Sequence, residues 1–353
     1  MLLNIIYIYA SDDKFDHIGN VKVIFSSKEK PNADIYIYFD LISYQACKPH
    51  PFSKNKLKVL YLTEPVCVLP NQYRQVIWKK FDFILTWNDF LCGDNYPTFI
   101  KVTYPLYNSE SKIHILEQTK DELLARSNSI CLISNNKKSL IKGELFSLRQ
   151  KVADWFYQDG QIPLDIYGRL PMKLPNYKGE VEDKIQTYQH YRFALCFENC
   201  YLKNWSNGWI TEKIFDAFYA QTVPIYYGCY NVEEYINPAC FIDYRKFNSL
   251  LELRNYLKSM SDEEYLGYVT AIKQFLSDTP PQENYHLQKN ILKLVERVKN
   301  THLSNSQVIN LPPDYLQTAT SFREKFWFHV SCLIQKLPIG IVRFFVKLAR
   351  LVR

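Results

Sequence analysis

Residues 191–228, YRFALCFENCYLKNWSNGWITEKIFDAFYAQTVPIYYG, contain the pattern that decides the fold. The apolar run 193–197 predicts a buried strand, and the polar loop after it leads into apolar residues at helical spacing over 212–220. A second apolar run, 223–227, predicts another buried strand. A strand, a helix and a further strand in this order predict a βαβ unit, in which the two strands run parallel.

The start of the predicted helix carries the residues from which a ligand site can be inferred. Thr211 is a residue type that often caps a helix N-terminus, and Glu212 in the first turn complements the helix dipole. A helix N-terminus beyond a strand end favours anions, and Lys213 adds a positive charge there, so a diphosphate would suit this position. The spacing alone equally allows a plain helix cap beside a solvated lysine.

Outward from this unit, short apolar runs alternate with helix-like segments, which is typical of α/β layers. The predicted strands are 2–9, 21–25, 33–39, 57–63, 81–86 and 99–104 in the first part of the chain, and 130–133, 164–167, 193–197, 223–227 and 240–243 in the second. A polar connector over 113–129 separates the two series. The pattern predicts two consecutive α/β domains with a cleft between them, and ligand-binding residues just after the strands.

Domain boundaries follow from the same pattern. The first domain is assigned to residues 1–115 and the second to 128–300, with 251–297 predicted as helices that wrap the second domain. A Pro-Pro break places a linker over 301–320. Residues 321–353 then form a separate tail.

Composition limits the classes of protein that this chain can belong to. Over 353 residues, 47% hydrophobic and 22% charged residues predict a globular chain large enough for two domains. The net charge is +7, of which the tail carries +6, so the nearly neutral body argues against nucleic acid as a partner. The nine cysteines form no CxxC pair, which favours a reducing compartment over a disulfide framework or a zinc site. The apolar start, residues 1–10, lacks a basic region and predicts a buried strand rather than a signal peptide.

The motifs of this chain resemble, in order, the signature of the family 10 fucosyltransferases, which include the α-1,3/1,4-fucosyltransferases. The matching motifs are Tyr191-Arg192-Phe193, Phe197-Glu198-Asn199, Trp209-Ile210-Thr211-Glu212-Lys213, Val223-Pro224-Ile225-Tyr226-Tyr227-Gly228, Asn237-Pro238 and Phe241-Ile242. Further upstream, the resemblance continues more thinly through Ser134-Asn135, Asp165-Ile166-Tyr167-Gly168-Arg169 and Thr63-Glu64-Pro65. A lone Thr-Glu-Lys would be weak support, whereas the whole series in order is specific.

The resemblance implies a fold and an activity. The fold would be GT-B, an α/β architecture of two Rossmann-like domains facing a cleft, with the acceptor in the first domain and GDP-fucose in the second. The activity would be that of an inverting glycosyltransferase, which transfers L-fucose from GDP-fucose to a hydroxyl of a glycan. A GlcNAc-type acceptor and an α-1,3 linkage are expected, in the synthesis of a surface polysaccharide or lipopolysaccharide.

The resemblance also implies roles for single residues. Glu64 would be the catalytic base. The donor-binding residues would be Arg149, Asn199, Glu212, Lys213, Glu198, Trp209 and Arg169. Arg149 and Lys213 would hold the diphosphate, and Glu212 would bind the ribose hydroxyls. Trp209 stands where the family more usually has Tyr, so a hydroxyl contact is in doubt at this position whereas stacking is not.

The chemistry of the leaving group bears on metal use. No Asp-x-Asp occurs in the chain, so the metal–diphosphate motif of many other glycosyltransferases is missing. Two basic side chains can neutralise the leaving diphosphate instead, and we therefore expect a metal-independent enzyme with no cofactor, GDP-fucose being the donor substrate. Glu64 follows a predicted strand, where a carboxylate can take the proton of the attacking hydroxyl.

The tail has the composition of an amphipathic membrane-surface segment. Arg343, Lys347 and Arg350 recur at helical spacing among Phe, Leu and Val, and neither half of the tail is long enough to span a bilayer. We expect it to bind an anionic membrane surface, the alternative being a terminal helix docked on the protein. With no signal anchor expected, the localisation that follows is the cytoplasmic face of a bacterial inner membrane rather than the free cytoplasm.

Two other functions stay open from the sequence alone. The same fold could use another nucleotide sugar, against which the Thr-Glu-Lys series argues. A non-catalytic, membrane-surface glycan-binding protein would be favoured by loss of Glu64, Arg149 or Lys213, and all three residues are present.

Overall fold

The computed structural model of this chain describes residues 5–9, 16–25, 32–42, 56–106, 117–135, 137–169, 175–300 and 310–334. The chain divides into two compact units. The first unit comprises Met1–Ser111, Leu140–Lys142 and Asn284–Arg353, and the second comprises Lys112–Ser139 and Gly143–Glu283.

The strands within the described ranges build one sheet in each unit. In the first unit they are β1 (Ile5–Tyr9), β2 (His17–Ile18), β3 (Val21–Phe25), β4 (Ile35–Phe39), β5 (Leu57–Leu62), β6 (Phe83–Thr86) and β7 (Phe99–Lys101). In the second unit they are β8 (Ser127–Ile133), β9 (Leu164–Tyr167), β10 (Tyr177–Gly179), β11 (Tyr191–Phe197), β12 (Val223–Tyr227) and β13 (Ile242–Asp243).

The helices of the described ranges connect and cover these strands. They are α1 (Gln75–Trp78), α2 (Lys120–Leu124), α3 (Phe146–Asp159), α4 (Lys184–Tyr188), α5 (Glu212–Tyr219), α6 (Leu250–Ser259), α7 (Asp262–Asp278), α8 (Pro281–Asn284), α9 (Leu287–Asn300), α10 (Tyr315–Thr318) and α11 (Phe322–Ile334). Short 3₁₀ turns lie at Pro70–Gln72, Asp89–Leu91, Val232–Glu234, Pro238–Cys240 and Tyr244–Lys246.

The sheet of the first unit has the order β2-β3-β1-β4-β5-β6-β7, and every pairing except β2 with β3 is parallel. Its strands are apolar on both faces, as in β5, where Val59, Leu60 and Tyr61 are all fully buried. Because β4, β5 and β6 are parallel neighbours, the residues that follow them lie along one edge of the sheet.

The sheet of the second unit has the order β10-β9-β8-β11-β12-β13, and all of its pairings are parallel. The predicted strands 164–167 and 223–227 coincide with β9 and β12. The short β10 at the sheet edge was not predicted. One face of the sheet is covered by α3, α6 and α7, whose buried members include Val152, Leu253 and Val269.

The boundary predicted at residue 300 is wrong, because α9 belongs to the first unit. Its buried face, which includes Ile291 and Leu294, is part of the apolar core of the first sheet. Asn290 on the same face is 1% exposed and donates hydrogen bonds to the Tyr61 hydroxyl and the Thr103 carbonyl, while its amide oxygen accepts from the Thr103 N–H. Strand β7 ends at Lys101, before the predicted 104, and both backbone groups of Thr103 bond Asn290.

The predicted linker and tail are packed where the structure describes them. Asp314, in the predicted linker, accepts a hydrogen bond from the Gln75 N–H, and Tyr315 stacks on Phe328 of α11 at 4.9 Å between ring centroids. Phe328 is fully buried, whereas Phe322 on the same helix is 84% exposed. The described part of the tail is therefore a docked helix with one apolar side uncovered, and residues 335–353 lie outside the described residues. Among the helices described, none is both long and apolar enough to cross a bilayer.

Candidate functional site

The loops after β8, β9 and β11 meet at the carboxyl edge of the second sheet. Ser134 follows β8, Gly168 follows β9, and Glu198 with Asn199 follows β11. Gly168 has a φ of 148°, and a Cβ atom built on it would lie 2.3 Å from the Ser134 carbonyl oxygen. The close approach of these two loops therefore requires glycine at this position.

Arg149 joins two of these strand ends. It lies in the first turns of α3 and is 4% exposed. Its guanidinium donates to the Ser134 hydroxyl at 3.2 Å, to the Phe197 carbonyl at 2.6 Å and to the Asn199 amide oxygen at 3.2 Å. The predicted donor residues Arg149 and Asn199 are thus in direct contact, and the Arg149 side chain is held at the sheet edge rather than on the outer surface of its helix.

Glu198 is fully buried and holds the start of α5. Its carboxylate accepts hydrogen bonds from the Thr211 N–H at 2.9 Å and from the Thr211 hydroxyl at 2.8–2.9 Å. Thr211 occupies the predicted N-cap position. Its side chain accepts no hydrogen bond from the helix N–H groups, so the prediction that this side chain caps the helix is wrong. A Cβ at Gly228 would lie 2.3 Å from Cβ and Cγ of Glu198, so the glycine after β12 makes room for this carboxylate.

Lys213 lies between two carboxylates. Its ammonium group is 3.3 Å from Oε2 of Glu198 and 3.1 Å from Oε1 of Glu212, and it donates to the Thr211 hydroxyl at 2.9 Å. Burial favours the neutral amine, but the two carboxylates outweigh it and raise the pKa of Lys213 above its ordinary value. The ammonium group therefore stays charged, and 20% of the side chain is exposed.

Glu212 is kept ionised by its neighbours. Burial favours the neutral acid, but the cations of Lys213 and Lys184 outweigh it and lower the pKa of Glu212 to about 2. Lys184, on α4, lies 4.0 Å from Glu212 and 3.1 Å from Asp216. Sequence reasoning missed Lys184, because nothing in the spacing shows that α4 and α5 contact each other.

Trp209 and Arg169 lie in opposite environments. Trp209 is 1% exposed, and its carbonyl accepts a hydrogen bond from the Tyr226 hydroxyl, so its indole packs inside the second unit. Arg169 is exposed, and its side chain lies 3.9 Å from Glu180, which is also exposed. The Arg169 N–H donates to the Asn135 amide oxygen, which joins the loops after β8 and β9. The predicted donor contacts of Trp209 and Arg169 stay predictions.

This edge of the sheet suits an anionic ligand. Arg149 and Lys213 are close enough for the charge of Arg149 to oppose protonation of Lys213. Arg149 and Lys213 can donate charge-assisted hydrogen bonds to a diphosphate, and the ionised carboxylate of Glu212 can accept hydrogen bonds from hydroxyl groups of the same ligand.

Glu64 lies in the first unit, just after β5, and is partly buried. Its N–H donates to the carboxylate of Asp40, and its carbonyl accepts from Gln72 at 3.0 Å and from the Tyr73 hydroxyl at 2.7 Å. Asp40, Gln72 and Tyr73 were not predicted from the sequence. The signal for Asp40 was present, since it follows the strand predicted directly before that of Glu64.

Metal ligation has no candidate among these residues. In the ranges that the structure describes, His, Cys, Asp and Glu side chains form no group of three or more that could hold a metal ion. Independence from metal stays a prediction.

Comparison with known proteins identifies relatives of this chain. Residues 126–312 match the family model described as glycosyltransferase family 10 (fucosyltransferase), C-terminal part. The chain is 29% identical over 133 residues to the α-(1,3)-fucosyltransferase FucT of Helicobacter pylori, an alignment that covers 38% of this chain and 27% of that protein. It is 39% identical over 74 residues to the α-(1,4)-fucosyltransferase of Arabidopsis thaliana, covering 21% of this chain and 18% of that protein. Each alignment therefore spans less than a third of the relative.

A solved structure resembles nearly the whole chain. The crystal structure of an α1,3-fucosyltransferase with GDP matches with a TM-score of 0.55 and 17% identity, covering 88% of this chain and 92% of that chain. At this identity the likeness concerns the fold alone. It confirms the predicted GT-B glycosyltransferase fold.

Proposed function

Because the chain belongs to glycosyltransferase family 10, we propose that it transfers fucose from GDP-fucose to a hydroxyl group of a glycan. The observation that carries this proposal is the pair of cations at the edge of the second sheet. Arg149 is held by the ends of β8 and β11, and Lys213 is kept protonated by Glu198 and Glu212. A nucleoside diphosphate is the ligand class that this arrangement suits best.

These positions support the donor-binding roles that we propose. Arg149 and Lys213 neutralise the diphosphate, whose negative charge grows as it leaves, and they can do so without a metal ion. The ionised Glu212 accepts hydrogen bonds from the ribose hydroxyls, and Asn199 contacts the donor next to Arg149. Glu198 acts beneath them, because its buried carboxylate orients Thr211 and Lys213.

Glu64 is the proposed general base. The acceptor oxygen attacks the anomeric carbon of fucose, and its proton passes to the Glu64 carboxylate. The bond from the anomeric carbon to the phosphate oxygen breaks, and its electron pair leaves with GDP. Attack from the face opposite GDP inverts the configuration, so a β-linked donor gives an α-linked product.

The proposal extends to the acceptor sugar and to the linkage that is formed. An α-1,3 linkage is favoured by the Helicobacter pylori relative, whereas the Arabidopsis thaliana relative carries the α-1,4 name. The GlcNAc-type acceptor is the one that the resemblance of the motifs implies. A surface polysaccharide or lipopolysaccharide would supply such an acceptor. Product linkage analysis with GlcNAc and its β-1,3- and β-1,4-galactosides as acceptors distinguishes the two linkages.

Calorimetric titration with GDP, GDP-fucose, UDP and CDP in EDTA tests the donor site. We expect the wild type to bind the two guanine nucleotides selectively without added metal. Lys213→Ala should weaken this binding by about 10–100-fold, because loss of a charge-assisted contact in a partly buried site costs about 1.5–3 kcal/mol. Lys178→Ala, which removes a half-exposed lysine paired with Asp165 in the same unit, is the matched control and should bind as the wild type does.

Each outcome of the titration has a distinct meaning. Binding without preference for guanine would favour another nucleotide sugar as the donor. Binding that requires a divalent ion would contradict the metal-independent mechanism. Equal affinities of Lys213→Ala and the wild type would remove Lys213 from the donor site.

We also propose that residues 335–353 bind an anionic membrane surface, as their Lys336, Arg343, Lys347, Arg350 and Arg353 suggest. Because α11 is docked through Phe328, the informative truncation ends at Ile334 and leaves that helix in place. We expect the truncated chain to lose sedimentation with vesicles of 30 mol% phosphatidylserine, at about 1 kcal/mol per basic residue removed, and to keep its activity on soluble acceptors.

Vesicles of phosphatidylcholine alone are the control for the truncation, since they lack the anionic charge. Equal sedimentation of the full and truncated chains with anionic vesicles would contradict membrane binding by this segment. It would also remove the reason for placing the enzyme at the cytoplasmic face of a membrane.

A further inference from the structure

The backbone of Thr63 and Glu64 is held by a buried carboxylate from the neighbouring strand. Asp40 directly follows β4, which pairs with β5 in parallel, and it adopts a φ of 56°. After Gly, Asp and Asn are the residues that best tolerate this left-handed region. The turn aims the Asp40 side chain across to the end of β5.

The Asp40 carboxylate accepts four hydrogen bonds. Its Oδ1 accepts from the Thr63 N–H at 2.9 Å, from the Glu64 N–H at 3.1 Å and from the Gln72 amide at 2.9 Å, and its Oδ2 accepts from the Thr63 hydroxyl. Asp40 is 9% exposed, and its burial raises the pKa of the carboxyl against the opposing effect of these donors. Burying a carboxylate costs free energy unless hydrogen bonds compensate for the lost water. The four donors provide this compensation, and the Asp40 carboxylate in turn holds the groups that donate to it.

The carbonyl group of Glu64 is held by residues in and next to the 3₁₀ turn Pro70–Gln72. Gln72 is fully buried and bridges Asp40 to the Glu64 carbonyl, while its own amide oxygen accepts from the Leu41 N–H. The Tyr73 hydroxyl donates to the same carbonyl at 2.7 Å. Both backbone groups of Glu64 are therefore bound by buried side chains, which fixes the direction in which its Cα–Cβ bond points.

We propose that Asp40 is a positioning residue, whose carboxylate fixes the backbone of Glu64 so that the Glu64 side chain meets the acceptor hydroxyl. The inference rests on the proposed function, in which Glu64 is the base. Proton transfer requires a base within hydrogen-bond reach of the hydroxyl, and a misplacement of about 1 Å can cost on the order of 10²-fold in rate. Asp40 itself touches no substrate.

Asp40→Asn in the full chain tests this role. Asparagine tolerates the same φ and keeps a neutral oxygen in place of Oδ1, so the hydrogen bonds from the Thr63, Glu64 and Gln72 N–H groups lose their charge assistance. Its NH₂ group also cannot accept the hydrogen bond that the Thr63 hydroxyl makes to Oδ2. We expect kcat for fucosyl transfer to fall by about 10–100-fold, while KM for GDP-fucose and the affinity for GDP change by less than about twofold. Hydrogen exchange of the Thr63 and Glu64 amides should become faster.

A double-mutant cycle separates positioning from general destabilisation. If Asp40 acts only through Glu64, then Asp40→Asn should not slow a Glu64→Gln variant any further. Asp82→Asn is the matched control, because Asp82 accepts the Lys58 N–H at the other end of β5 and lies away from Glu64. This control should keep the kcat of the wild type.

The outcomes distinguish failure of the inference from failure of the proposed function. An equal loss of rate from Asp40→Asn in the wild-type and Glu64→Gln backgrounds would overturn the positioning role and leave the fucosyltransferase function intact. An unchanged kcat for Asp40→Asn would do the same. A wild type that binds GDP-fucose but transfers no fucose to any tested acceptor would overturn the proposed function, and the role of Asp40 with it.

Discussion

Glu64→Gln is expected to lower kcat for fucosyl transfer by about 10²–10⁴-fold, the usual contribution of a general base. Glutamine has nearly the same shape and leaves the backbone contacts with Asp40, Gln72 and Tyr73 in place, but its amide cannot take a proton. The affinity for GDP should stay that of the wild type, since the proposed donor site lies in the second unit. Initial rates of GDP release with and without acceptor measure the effect.

Two further variants make the Glu64 result specific. Glu296→Gln applies the same chemical change to an exposed glutamate on α9 of the first unit and should leave kcat unchanged. Glu64→Asp keeps the base but shortens it by one methylene, so its activity should fall between those of the wild type and Glu64→Gln. A Glu64→Gln enzyme that transfers fucose at the wild-type rate would show that another group, or water, accepts the proton.

Arg149→Ala is expected to reduce kcat/KM by about 10²–10³-fold, or about 2.7–4 kcal/mol, as loss of a preorganised group that stabilises transition-state charge does. The variant removes one of two cations from the donor site and leaves the Phe197 carbonyl without its donor in a buried position. Arg149→Lys keeps the charge but cannot reproduce the planar fork that reaches Ser134, Phe197 and Asn199 together. We therefore expect lysine to restore only part of the activity.

Stability must be separated from catalysis for a buried arginine. Arg254 on α6 is 8% exposed and lies 3.8 Å from Asp159, the last residue of α3, so it is at the opposite end of that helix from Arg149. Arg254→Ala should lower the melting temperature of the protein but leave kcat/KM of the folded fraction unchanged. If Arg149→Ala behaves like Arg254→Ala, then Arg149 serves the fold rather than the diphosphate.

The parts of the fold that depend on local pattern could be predicted from the sequence. Strands β3, β9 and β12 were predicted with the bounds that the structure has, because buried parallel strands appear as continuous apolar runs. Helix α5 was predicted to within one residue from the spacing of its apolar face. The family was recognisable because its motifs cluster at strand ends and at one helix start, where short sequence spacings already determine which residues lie together.

Contacts between residues far apart in the chain were decided only by the tertiary structure. Helix α9 has an apolar face that its sequence does not assign to either sheet. In the structure this face packs in the core of the first unit, and Asn290 meets Tyr61, 229 positions earlier. Thr211 has the sequence signature of a helix cap, but the buried carboxylate of Glu198 takes its hydroxyl and its N–H.

The same division holds for the candidate site. The sequence by itself determined two α/β domains from its periodicity, and the resemblance of its short motifs identified the family and, through the family, the GT-B fold. It also determined which charged residues follow the strands, because these patterns are properties of neighbouring residues. Only the tertiary structure decided that Lys213 lies between two carboxylates, that Lys184 pairs with Asp216, and that Asp40 accepts the N–H of Glu64. Those arrangements depend on which strands and helices become neighbours, and that is set by packing across the whole unit rather than by local spacing.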